Sequence, residues 1–211
     1  MCTRVRGPDT DDHKNLVRMI NYIQGTIGLP LILSIKNSGN IKWYVDAEFA
    51  LHKDMKSHTG GFMTKRTGGE YVKSIKNNPN TKSSTEADLV GVDDVLAQVI
   101  FIQYFLKEQG YMIHNNIIYQ ENQSAIKLEN NDRPLIRNRT SHINDRYYFI
   151  TDRIMNQESS IKFCPTLDMI GDYFKKSLQG SKFCLFRNII LGIHEDDIPS
   201  YNAPGRELLE E

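Results

Sequence analysis

The chain has 211 residues, 39% of them apolar and 25% charged, a globular composition with room for one generous domain. Lys plus Arg and Asp plus Glu both number 26, so the formal net charge is zero and any attraction to nucleic acid must be local. No run approaches the length of a membrane span and the N-terminus lacks the apolar core of a signal peptide, while Cys2, Cys164 and Cys184 are odd in number, far apart and match no zinc spacing; they read as core or incidental thiols of a reducing, intracellular compartment, cytoplasmic or nuclear.

Residues 11–15 open a helical pattern in which Leu16, Met19, Ile20 and Ile23 share a face. Gly25 and Gly28 break it, and residues 29–33 resume as a short extended run. This helix-and-strand extension is too small to bury a core, so it packs on the residues C-terminal to it or on a segment missing from the chain. From Ile41 the pattern changes: residues 41–45, 58–64 and 70–75 read as three strands, the last two joined by a turn at Gly68-Gly69, which implies an antiparallel meander. A long helix starts near Ser83, with Leu89, Val92, Leu96, Val99, Ile100 and Leu106 at helical intervals, and ends at Gly110. Residues 116–119 read as a buried strand, Asn122 starts another helix, residues 143–155 a further one, and residues 161–164 a fifth strand stopped by Pro165. Residues 169–178 and 183–191 read as the last helices, before an acidic, loose tail. This order predicts an α/β domain with a mixed five-stranded sheet flanked by helices.

Four carboxylates recur along these elements. Asp46 and Glu121 close apolar strand-like runs, while Glu86 and Asp172 sit in helical patterns. An acid at the end of an apolar strand is costly unless its charge is compensated, and acids gathered from separate elements are how proteins hold paired Mg²⁺ ions for phosphodiester cleavage. Each has a plainer reading: Glu86 has the capping-box spacing with Ser83, Asp172 is a polar helix position, and Asp46 is a strand-end turn former. The strongest basic stretch, residues 133–153, carries Arg133, Arg137, Arg139, Arg146 and Arg153 against Asp145 and Asp152, and suits either phosphate contact or a solvated surface.

Three motifs carry a resemblance: residues 80–87 (Asn-Thr-Lys-Ser-Ser-Thr-Glu-Ala), 119–126 (Tyr-Gln-Glu-Asn-Gln-Ser-Ala-Ile) and 141–150 (Ser-His-Ile-Asn-Asp-Arg-Tyr-Tyr-Phe-Ile). Together they resemble the ribonuclease H region of copia-type LTR-retrotransposon Pol polyproteins, and residues 2–6 with the helix over 16–25 resemble the segment leading out of the reverse transcriptase. The resemblance implies a ribonuclease H-like fold over residues 41–192, a reverse transcriptase remnant over 1–40 and a flexible tail over 193–211. It implies hydrolysis of the RNA strand of RNA–DNA hybrids at two Mg²⁺ ions, with Mn²⁺ able to substitute, held by Asp46, Glu86, Glu121 and Asp172. Asn122, Gln123, Ser124, Arg139 and Arg146 then become substrate contacts, with Gln123 reaching the groove, and the missing reverse transcriptase portion a partner. His142 is read as structural. The alternative is a weakened remnant that keeps the fold and at most binds hybrid. Glu121 is the departure that raises it, standing where the family has aspartate: one extra methylene shifts a ligand of Mg²⁺, which demands near-octahedral geometry at about 2.0–2.1 Å. Lys176-Ser177, where Lys-Pro is usual, and Ser141, where arginine is common, are milder departures.

Overall fold

Alternation along the first strand sets the architecture. In β1 (Asn40–Glu48), Ile41, Trp43, Val45 and Ala47 are buried on one side, and Tyr44 and Asp46 point to the other. A strand apolar on both faces belongs in the middle of a sheet covered on both sides. The computed structural model, which describes residues 7–34, 39–52, 54–78, 80–130 and 141–193 (the backbone alone for 141–144), places it there. β1 pairs antiparallel with β2 (His58–Thr64), which pairs antiparallel with β3 (Tyr71–Lys76). On its other edge β1 runs parallel to β4 (Asn115–Gln120), and β4 runs parallel to β5 (Ser160–Phe163). The order β3-β2-β1-β4-β5 is the mixed five-stranded sheet expected of a ribonuclease H-like fold.

Five helices join these strands: α1 (Thr10–Thr26), α2 (Ser84–Glu108), α3 (Gln123–Glu129), α4 (Ser141–Met155) and α5 (Gly180–Leu191). Leu89, Val92, Val95, Leu96 and Val99 of α2 pack on Trp43, Val45, Met63 and Ile118, with Tyr147 and Ile150 of α4 behind them. The opposite face is smaller: Phe62, Ile170 and Phe186 gather Tyr44, Phe174 and Ile190. α2 corrects one expectation, since its 25 residues are long and apolar enough by length and composition to cross a membrane. Its apolar stripe covers the sheet, and Asp88, Asp93 and Asp94 lie along it.

Two further expectations change. Residues 29–33 form no strand; next to them Ser34 makes an isolated bridge with Thr67, and Ile32 N donates to the carbonyl of Leu191 at the end of α5 at 2.7 Å. None of the residues of α1 is buried, and its rings meet the rest of the fold where Tyr22 sits edge-on to Phe183. The helix expected over residues 169–178 is only a 3₁₀ turn, Ile170–Phe174. The turn packs closely: a Cβ built on Gly171 would lie 3.2 Å from the carbonyl oxygens of both Tyr44 and Gly60, so this backbone lies directly on β1 and β2. The contact is tighter from the other side, where a Cβ on Gly60 would come 2.2 Å from the Gly171 carbonyl.

Gly60→Ala is therefore expected to destabilise the protein by about 1–3 kcal/mol through overpacking, read as a lower urea midpoint at unchanged slope. Gly110→Ala, whose Cβ would meet nothing within 4 Å but whose φ is +83°, tests backbone strain without crowding.

Candidate carboxylate centre

The Gly60–Gly171 contact places two acids side by side. Asp46, on the β1 face toward the 3₁₀ turn, is 7% exposed, and Asp172, inside that turn, is 1% exposed. A third acid arrives from the α2 side. A Cβ on Gly91 would meet the Ala47 Cβ and the Thr59 Oγ1 at 3.2 Å, so α2 lies close against β1 and β2. One turn earlier, Asp88 (5% exposed) accepts a hydrogen bond from Ala47 N at 3.1 Å and another from Asn122 Nδ2 at 2.9 Å.

Positive charge answers this concentration of acid. Lys175 pairs with Asp46 Oδ2 and lies 3.4 Å from Asp172 Oδ1. Lys176 reaches Asp172 Oδ1 at 2.8 Å, and Lys182 reaches Asp172 Oδ2 at 3.3 Å. The aspartates diverge accordingly. Burial lifts Asp46 to about 7 against the pull of Lys175, with Asp88 and Asp172 pushing the same way as burial. Burial also acts to raise Asp172, but hydrogen bonds from Lys176 and with Asp46, and the charge of Lys175, hold it below the ordinary carboxylate range. Asp88 is raised by burial, partly offset by Asn122 and the Ala47 amide.

The other expected site residues take different places. Glu86 is buried, yet its carboxylate accepts from Lys82 N at 2.8 Å while Ser83 Oγ accepts from Glu86 N at 3.2 Å, so it caps the start of α2. Glu121 lies on the rim, accepting from Thr166 Oγ1 at 2.7 Å, close enough to raise Asp88. Asn122 caps α3, accepting from Ser124 N at 3.0 Å and Ala125 N at 3.3 Å; those amides are engaged rather than free. Gln123 and Ser124 are exposed beside it. Arg146 pairs with Asp93 at 2.8 Å and Asp94 at 3.5 Å, tying α4 to α2. Arg153 pairs with Glu158 at 3.0 Å. Arg133, Arg137, Arg139 and the side chain of His142 lie outside the described residues.

Asp88 is the site residue that the motifs did not single out. Its signal was an acid in line with the apolar stripe, four, seven and eleven residues before Val92, Val95 and Val99. A second buried acid, Glu129 at the end of α3, is fully buried and raised to about 8 by burial and by Asp88, with Gln120 lowering it. Among the described residues no three acidic, imidazole or thiol groups converge as a ready metal cage. Asp46 Oδ2 and Asp172 Oδ1, both buried without a well-formed hydrogen bond, instead face ammonium groups.

No protein-family profile matches the chain. It is similar to the Retrovirus-related Pol polyprotein from transposon TNT 1-94 of Nicotiana tabacum, 26% identical over 187 residues, 88% of this chain and 14% of the relative. It is 29% identical over 178 residues to that from transposon RE2 of Arabidopsis thaliana, 82% of this chain and 12% of the relative. With transposon RE1 of Arabidopsis thaliana the identity is 28% over 185 residues, 86% of this chain and 12% of the relative. The chain thus spans 12–14% of the length of these curated relatives. Among solved structures, LC11-RNase H1, isolated from compost by a metagenomic approach, aligns at a TM-score of 0.43 and 11% identity, over 61% of this chain and 86% of that one. Its complex with an RNA/DNA hybrid aligns at 0.44 and 10%, over 61% and 88%.

Glu129 generates a pH test. Its folded value lies above the ordinary 4.5, so the cost of its charge is absent below about pH 4.5 and grows until about pH 8. Glu129→Gln is expected to leave melting unchanged at pH 4.5 and to raise the melting temperature by roughly 4–8 °C at pH 8.5. Parallel melting curves across the range would refute the assignment.

Proposed function

Because this chain is a distant homologue of the copia-type retrotransposon Pol polyproteins, we propose that its ribonuclease H-like domain engages RNA–DNA hybrids and hydrolyses their RNA strand. One observation carries the reading: Asp46, Asp88 and Asp172, from a strand, a helix and a turn far apart in sequence, meet at one end of the sheet. Structural roles rarely require three buried acids in one place, whereas metal-assisted phosphodiester hydrolysis does.

The donor type suits a hard divalent cation: the centre offers carboxylate oxygens, two of them buried and met by lysine ammonium groups, though among the described residues the acids do not converge as a ready cage. Asp46, Asp88, Asp172 and Glu121 would hold it, in place of the expected set with Glu86. Mg²⁺ or Mn²⁺, when bound, supplies the charge that acidifies the attacking water and stabilises the departing 3′ oxygen. The remaining work belongs to side chains. Asn122 fixes one oxygen of Asp88 while the Ala47 amide fixes the other, so this carboxylate is held in one orientation. Gln123 and Ser124, exposed on α3, present polar groups to the sugar-phosphate backbone, and choosing RNA requires reading 2′-hydroxyls across a shallow groove. The apolar face of α1, with Leu16, Met19, Ile20 and Ile23 all exposed, suits the reverse transcriptase portion of such a polyprotein, working inside the cell.

A second reading, hybrid binding with little or no cutting, is favoured by Glu121, whose carboxylate turns to Thr166 on the rim. Cleavage of a labelled RNA–DNA hybrid in Mg²⁺ and in Mn²⁺ separates the two. The parent is expected to cut the RNA strand alone. Asp46→Asn and Asp88→Asn are expected to lower the rate by about a hundredfold or more, and Glu86→Gln to keep most of it. Hybrid retained on the protein but uncut in both metals would establish binding only, and neither binding nor cutting would overturn both readings.

A further inference from the structure

Lys175 has no task in the reaction above, yet it is the most buried of the three lysines in the centre. Its side chain is only 4% exposed, paired with Asp46 Oδ2 and 3.4 Å from Asp172 Oδ1. Neutralising Asp172 does not require it, because Lys176 and Lys182 approach the same carboxylate from more exposed positions. Asp46 is different: among the described residues, Lys175 is the only cation paired with it. An ammonium is a compact point charge with three donors, and desolvating it is costly without close oxygen partners. Here the partners are the same carboxylate oxygens that lack a regular hydrogen bond.

We propose that the Lys175 ammonium is a resident cation standing between Asp46 and Asp172 where a divalent metal would bind, so that metal loading requires this side chain to be expelled. The inference rests on the reading of the acids as a metal centre. The backbone makes the competition strong. Lys175 leaves the 3₁₀ turn just after Asp172, with Lys175 N and Lys176 N both donating to the Asp172 carbonyl, at 3.2 and 2.9 Å. That turn is fixed on β1 and β2 by the Gly60–Gly171 contact. The amine is thus tethered beside its acids, at an effective concentration that free millimolar Mg²⁺ must overcome. A divalent ion entering this pair leaves the lysine to move to solvent, so its binding is weakened by whatever that displacement costs.

The test is metal binding by the full chain, read by Mn²⁺ titration with electron paramagnetic resonance and by melting temperature with and without Mg²⁺. The parent is expected to bind Mn²⁺ weakly and to melt at a temperature insensitive to Mg²⁺. Lys175→Met, which keeps the length of the side chain and removes its charge, is expected to melt lower without metal. It should bind Mn²⁺ about tenfold tighter or better and regain melting temperature as metal is added. Tight Mn²⁺ binding by the parent would by itself overturn the proposal, whether or not the variant folds well. A folded Lys175→Met that gains no metal affinity would overturn it as well. Hybrid cleavage separates this from the functional reading. Tighter metal binding in Lys175→Met without cutting would uphold the resident cation and sink the hydrolase, whereas efficient cutting by the parent, unimproved in the variant, would do the reverse.

Discussion

A carboxylate carried into the middle of a sheet must meet a cation, a set of hydrogen-bond donors or a proton, because water cannot reach it. This protein puts three of them at one end of one sheet and answers each differently. Asp172 is held by three lysines, Asp88 by an amide proton and an asparagine, and Asp46 by a single buried ammonium. Much of the architecture on that side is set by these answers. The turn carrying Asp172 must also deliver Lys175 and Lys176, α5 must supply Lys182, and α3 must begin with an asparagine long enough to reach α2.

Close approach of backbone makes the electrostatics matter. Gly60, Gly91 and Gly171 surround Asp46, and at each a methyl group would crowd its neighbours. With no side chains between them, the strand, the helix and the turn shut out solvent, and charges a few ångströms apart are then poorly screened. The upward shift of Asp46 and the downward shift of Asp172 are two aspects of that one environment. Glu121 sits with Thr166 at the edge of the same environment, near enough to raise Asp88.

The layout of the domain was largely legible in the sequence because it depends on local rules. Alternation in β1, the strands flanking Gly68-Gly69, the cap at Ser83 and the asparagine at the head of α3 are short-range signals, and they placed these elements within one to three residues. The site was harder to read. Telling Glu86 from Asp88 is a question of helix phase: two residues are about 200° apart around an α-helix, so one of them looks to the loop and the other to the sheet. The capping-box spacing with Ser83 gave the plainer reading of Glu86, and its hydrogen bonds match that reading. Arg146 could not be assigned from its own neighbourhood, since Asp93 and Asp94 lie on a different helix. The 3₁₀ turn was hidden for a similar reason: its sequence is compatible with a helix, and its packing on Tyr44 and Gly60 comes from strands far away in the chain.

The hydrogen bond from Ile32 to Leu191 has a mechanical meaning. Gly192 adopts a left-handed conformation at the end of α5, and a Cβ there would lie 2.1 Å from the Ile32 carbonyl, so the strap before β1 and the last helix close on each other. The polypeptide thus enters and leaves the folded body at one clasp. Because α5 also carries Lys182 to Asp172, loosening that clasp would reach the carboxylate end of the sheet, so the closure of the chain on itself and the charge balance of the acids are linked.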